Sequence, residues 1–115
     1  MITGHRGFIG SHIQEATNHS GVDIKEGNDI RTCEFLNWKS YKTIFHCAAQ
    51  ASIPKSFDDP LESHDHNVTG TLRVLEYARE IGANVVFSSS SSVYDKMSPY
   101  AVQKYICEEY MRFYW

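Results

Sequence analysis

Two groups of residues in this chain of 115 have the types and the spacing to do chemistry. The first is Gly4, Gly7 and Gly10, directly after Met1-Ile2-Thr3 and at the head of a helical pattern. Such a repeat suits a strand-to-helix turn that holds a pyrophosphate. Gly4 permits the tight turn, and Gly7 lets the backbone approach phosphate oxygens with no Cβ in the way. Gly10 lets the helix pack closely on its strand. The leading N–H groups of that helix, from Phe8 and Ile9 onward, lack internal acceptors and lie at the positive end of its dipole, so they bind anions. The second group is Ser90 with Tyr100 and Lys104. Tyr and Lys at i and i+4 share one face of a helix, and a lysine cation beside a phenol favours the phenolate. A phenol tuned in this way takes a proton from a hydroxyl group while hydride leaves the adjacent carbon. A serine hydroxyl at the end of a neighbouring strand bonds the same oxygen. Either group alone is weak evidence, because glycines mark ordinary turns and Tyr-x-x-x-Lys is usually surface helix. Together they support each other.

The elements that must position these groups follow from the apolar periodicity. Only Met1 and Ile2 precede Thr3, so the first strand is either unusually short or cut off at its start. A helix is expected from Phe8 to about His19, with Ile9, Ile13 and Ala16 at helical spacing and Gly21 as its stop. Val22-Asp23-Ile24 reads as a second strand. Glu26 then falls about 20 residues past the first glycine, where a dinucleotide fold places an acid for the ribose hydroxyls; a solvated loop glutamate is the competing reading. Lys25 either favours a 2′-phosphate or has no role. Glu34 to Ser40 suggests a short helix leading into a strand within Tyr41 to Ala49, whose small terminal residues leave room for a ligand. Asp59-Pro60 marks a helix start, with Asp as N-cap and Pro at the first helical position, and Gly82 ends that helix after Ile81. Asn84 to Phe87 is the next strand, opening into the serine run 88–92. Pro99 starts a last helix that reaches Trp115. Strands alternating with helices imply an α/β fold: a Rossmann-like, doubly wound parallel sheet with helices on both faces, ending after the Tyr-x-x-x-Lys helix.

Composition narrows the function classes. A net charge of −3 with mixed signs argues against nucleic acid and against a polybasic membrane contact. No apolar run approaches a membrane span, and no signal peptide precedes the glycine turn. The three scattered cysteines suit a reducing, cytoplasmic setting. His64 and His66 invite a metal reading, but two residues apart on a helix they diverge, so no metal site is expected. His46 is expected to pack at a strand end, and Cys47 to be a small core thiol without a histidine partner.

With these residues in view, the chain resembles the extended short-chain dehydrogenases, the NAD(P)-dependent nucleotide-sugar epimerases, dehydratases and reductases. The resemblance runs from Thr3 to Trp115. It rests on Thr-Gly-x-x-Gly-x-x-Gly at Thr3 to Gly10, Asp29-Ile30-Arg31, and His-x-Ala-Ala at His46 to Ala49. It continues through Asn67-Val68-Thr69-Gly70-Thr71, the Ser-Ser-x-x-Val-Tyr pattern ending at Tyr94, and Tyr100 to Lys104. It implies that Asp29 and Ile30 contact adenine and that Ala48 and Ala49 line the cofactor. It also implies that Ser90, Tyr100 and Lys104 are catalytic, with Tyr100 and Lys104 reaching the nicotinamide ribose; Ser91 stays a candidate because the serine run permits a one-residue slip. Ser91 and Ser92 stand where the sugar dehydratases carry an Asp-Glu pair, so epimerase or reductase is favoured. His5-Arg6 is similar to the turn of the NADP-dependent GDP-fucose synthases, and Arg6 could meet a 2′-phosphate. NAD ranks ahead, with NADP open.

Three departures from the family pattern accompany this reading. The first strand lacks leading residues, the loop between Tyr94 and Tyr100 is short, and the C-terminal sugar-binding domain has no counterpart. Residues 1–115 are therefore expected to form the NAD(P)-binding domain of a longer enzyme whose substrate is a nucleotide-diphosphate sugar. The alternative is a non-catalytic nucleotide-binding module. The family often dimerises through the helices at 60–81 and 99–114, so a homodimer is a further expectation.

Overall fold

The computed structural model describes residues 1–32 and 41–114. The helix expected at Glu34 to Ser40 lies outside the described residues, as does Trp115. Four parallel strands stand in the order β2-β1-β3-β4: β1 (Ile2–Thr3), β2 (Gly21–Val22), β3 (Thr43–His46) and β4 (Asn84–Phe87). Strand β1 is only two residues long, yet it is central, pairing with β2 on one side and β3 on the other. Its neighbours extend its bonding: the Met1 ammonium donates to the Thr43 carbonyl at 2.9 Å, Gly4 N–H to Val22 O at 2.8 Å, and Cys47 N–H to Thr3 O at 3.1 Å. The expected doubly wound sheet is present.

Helix α1 (Phe8–Thr17) connects β1 to β2. It ends earlier than the sequence suggests, because Asn18 at φ 53° supplies the left-handed cap and donates to Gln14 O. Gly21 is not the helix stop. A Cβ there would lie 2.2 Å from the His5 ring, so the glycine makes room for a buried histidine. The expected second strand also shifts: it ends at Val22, and Ile24–Glu26 forms a 3₁₀ turn capped by the Asp23 carboxylate.

The long helix expected over 60–81 is present with those bounds and carries a π-helical turn inside it. The short helix α2 (Ile53–Asp58), unforeseen in the sequence, runs into α3 (Pro60–His64), where the Asp59 carboxylate caps Glu62 N–H at 2.9 Å. A π-helical turn over Asp65–Thr69 follows, then α4 (Gly70–Ile81), closed by Gly82 at φ 69° as anticipated. After β4, a 3₁₀ turn (Ser91–Tyr94) leads to α5 (Pro99–Tyr114). Right-handed crossovers in opposite directions from the sheet centre put α1 on one face and α4 on the other. Ile44, Val74, Tyr77, Ala78 and Ala83 bury themselves on the α4 side, with Met1 and Ile30.

A polar chain runs through this core. Thr3 Oγ1 lies 2.6 Å from His46 Nδ1, His46 Nε2 lies 2.9 Å from Thr71 Oγ1, and the Thr71 hydroxyl donates to Asn67 O at 2.6 Å. Because Thr71 spends its proton on Asn67, His46 must donate from Nε2 and accept at Nδ1. That is the neutral imidazole. Complete burial, aided by the Lys104 charge, pushes the His46 pKa down to about 3 from 6.5. The unfolded chain therefore binds a proton in this window that the folded chain refuses, and stability contributed by neutral His46 is complete above about pH 6.5 and is lost as pH falls toward about 3. Urea unfolding followed against pH should show wild type losing up to about 1.4 kcal/mol more per pH unit than His46→Gln over that window. Parallel curves would contradict the assignment.

Candidate functional site

The glycine turn is built by close contact. Gly4, at φ 72°, lies so near the end of β3 that a Cβ would sit 2.7 Å from the backbone N and Cα of Ala48. A Cβ on Gly10 would lie 2.3 Å from Gly4 O, so the helix is pressed onto the turn that follows β1. Gly7 differs. Its φ of −85° is open to any residue, and a Cβ would meet only Gly4 O at 3.2 Å. Gly7 is the N-cap of α1 without a side-chain cap, which leaves the first N–H groups of α1, at Phe8, Ile9 and Gly10, without intrahelical acceptors.

A cleft of about 240 Å³ opens between β1 and β3, where the strand order reverses, and its walls are the carboxyl ends of the strands. Ligands in open α/β sheets bind at this position. Gly4, Gly7, Asp29, Ile30, Ala48 and Ala49 line it, as do Val22, Asp23, Asn28, Cys47 and His66. Arg6 is exposed and is held outside, its Nε 2.6 Å from Glu26 Oε1. Glu26 does not line the cleft, which corrects its placement as the ribose acid. Asp23 does line it: this residue is 7% exposed, is the first after β2, and accepts Arg6 N–H at 2.9 Å and Lys25 N–H at 2.9 Å. The signal was its spacing of about 20 residues from the first glycine, hidden by reading Asp23 as part of the strand.

Asp29 is gripped by Arg31 through Nε and Nη2, and Arg31 also reaches Asp65 at 2.9 Å. This bond holds the Asp29 carboxyl below its usual range. His66 faces Glu62 at 3.7 Å, while His64 is exposed. Among the described residues no group of three or more His, Cys, Asp or Glu side chains converges on a point where a metal could sit. Burial raises the Cys47 thiol pKa, which disfavours a nucleophilic thiolate.

The second group sits beyond β4. Lys104 is 3% exposed, donates from Nζ to Ser88 O at 2.9 Å, and stands 4.5 Å from the Phe87 ring centroid. Burial lowers its pKa. Helix α5 is thereby tied to the serine strand end. The Ser90 hydroxyl lies 2.9 Å from that of Ser92, and Ser91 is exposed. Tyr100 is buried, with its backbone N–H on Ser56 Oγ at 3.1 Å. Asn67, in the π turn, joins the two groups: its Oδ1 accepts Gln50 N–H at 2.8 Å and its Nδ2 donates to Gln103 at 2.8 Å.

The family model described as NAD dependent epimerase/dehydratase family matches residues 1–115. The chain belongs to this family. A Klebsiella pneumoniae UDP-glucose 4-epimerase is 39% identical over 128 residues, covering 82% of this chain and 90% of that protein. A Methanocaldococcus jannaschii relative, provisionally named UDP-glucose 4-epimerase, is 30% identical over 152 positions, covering 99% of this chain and 50% of its own. That alignment is longer than this chain, so the archaeal protein carries insertions relative to it. Among solved structures, a UDP-N-acetylglucosamine 4-epimerase from Methanobrevibacter ruminantium, bound to UDP-N-acetylmuramic acid, superposes with a TM-score of 0.88 at 28% identity, covering 98% of this chain and 49% of that one. A Thermus thermophilus UDP-glucose 4-epimerase in complex with NAD superposes with a TM-score of 0.85 at 28% identity, over 98% and 49%. The chain thus spans about half the length of these archaeal and structural relatives.

Within this family member the glycines have separable duties. Gly10→Ala should cost about 1–3 kcal/mol in chemical denaturation, because its Cβ meets backbone that cannot yield. Gly7→Ala should cost no more than about 1 kcal/mol, the ordinary penalty of a poor N-cap. Equal costs would refute the distinction.

Proposed function

We propose that residues 1–115 form the cofactor half of an NAD-dependent nucleotide-sugar epimerase or reductase, acting on a UDP-sugar in the reducing cytoplasm. The observation that carries this reading is the cleft at the strand-order reversal, walled by the glycine turn, Asp23 and the Ala48-Ala49 strand end. The fit is chemical. The bare N–H groups of α1 meet a pyrophosphate, Asp23 meets the ribose hydroxyls, and Ile30 with Asp29 frames an adenine. Asp23 disfavours a second phosphate on that ribose, which supports NAD over NADP.

Bound NAD would supply the acceptor and donor of hydride. In the proposed chemistry Tyr100 takes the proton from the sugar hydroxyl, Ser90 bonds the same oxygen, and the Lys104 ammonium stabilises the phenolate and reaches the nicotinamide ribose. The local geometry supports these roles through Lys104 Nζ, which stands at the carboxyl end of β4 beside the serines. Exposed Leu61 and Phe113 on the helices 60–81 and 99–114 support pairing of two copies as part of the same proposal. The alternative is a nucleotide-binding module without turnover, which would hold NAD in the same cleft.

Calorimetric titration of the chain with NAD should give saturable binding, and Gly7→Val should abolish it while circular dichroism stays unchanged. Retained binding in Gly7→Val would refute the pyrophosphate placement. With NAD and UDP-glucose supplied, Tyr100→Phe should lower nicotinamide reduction by about 10²–10⁴-fold relative to wild type; cofactor binding with no turnover in wild type would favour the module.

A further inference from the structure

At the cleft stand four charged residues: Asp23 and Lys25 line it, while Arg6 and Glu26 pair with each other outside it. Asp23 lines the cleft and is fixed by two backbone N–H groups, those of Arg6 and Lys25. Lys25 Nζ donates to the Arg6 carbonyl at 3.2 Å. Arg6 places both Nε and Nη2 on Glu26 Oε1. The second Glu26 oxygen is 3.2 Å from Nε2 of the buried His5, whose ring occupies the space kept by Gly21. Glu26 is thus anchored from below and holds the arginine from above. Its side chain is 34% exposed and that of Arg6 56%, so the guanidinium has room to turn away once its partner is gone.

In a dinucleotide site the acid after the second strand reads the ribose hydroxyls, and a nearby arginine accommodates a 2′-phosphate where one is present. Asp23 supplies that acid here, and Arg6 is the arginine beside it. We propose that Glu26 is a specificity-determining residue: by pairing with Arg6 it withholds the guanidinium from a ribose 2′-phosphate, so that the cleft selects NAD over NADP. This rests on the reading of the cleft as a dinucleotide site.

The test is calorimetric titration of the full chain with NAD and, separately, NADP, in wild type, Glu26→Gln, Glu26→Ala and Arg6→Ala/Glu26→Gln. Wild type should prefer NAD. Both single variants should raise the affinity for NADP relative to NAD by about tenfold, and the gain should shrink with added salt. The double variant should lose the gain, because the freed guanidinium is its source. A merely structural Glu26 would change both affinities alike, and that result would overturn the proposal, as would a gain that survives in the double variant. If wild type preferred NADP, the specificity claim would fail while the dinucleotide reading stood. If it bound neither, the dinucleotide reading would fall first.

Discussion

The contact on which the molecule turns is one of backbone against backbone. Gly4 approaches Cys47 and Ala48 so closely that a Cβ would overlap them. This approach brings the carboxyl ends of β1 and β3 together at the point where the strand order reverses. It sets the direction in which the chain leaves β1, and with it the direction in which α1 presents its bare N–H groups. Gly10 then fixes the helix against the same turn. The bonds of Met1, Gly4 and Cys47 extend the ladder of β1 beyond its two residues.

The two chemical groups are far apart in sequence and are linked by buried polar side chains. His46 bonds the hydroxyls of Thr3 and Thr71, spanning β1, β3 and α4. Asn67 bonds the backbone after β3 and Gln103, which lies on α5 between Tyr100 and Lys104. A half-satisfied network of this kind would be costly, since each orphaned buried group costs about 1–3 kcal/mol. Among the described residues, the buried side-chain atoms without a partner, His5 Nδ1 and Gln50 Oε1, lie outside this network. The π turn at Asp65–Thr69 puts Asn67 and Val68 into the interior, in keeping with the tendency of π turns to occur at functional positions.

Much of this was legible in the sequence, for identifiable reasons. Glycine spacing, the Asp59-Pro60 start and the Gly82 stop are local signals, and each is realised where local chemistry puts it. What the sequence concealed depends on tertiary neighbours. Gly21 reads as a helix stop until the buried His5 ring is seen beside it. Asp23 reads as strand until the ladder ends at Val22, and Glu26 reads as the ribose acid until Arg6 and His5 claim it. The π turn spans only five residues, Asp65–Thr69, too few for a change of period to be read from the apolar pattern. Helix α2 is too short for periodicity to register.

The central claim is that the cleft at the strand-order reversal is the dinucleotide site. Amide chemical-shift mapping of the labelled chain on addition of NAD tests it most directly. The account predicts that the largest shifts fall on Gly4, Gly7, Phe8, Ile9, Asp23 and Ala48, which lie on three different strand ends and one helix start. Shifts that leave these amides unmoved and gather elsewhere, for instance on the outer face of α5, would contradict it.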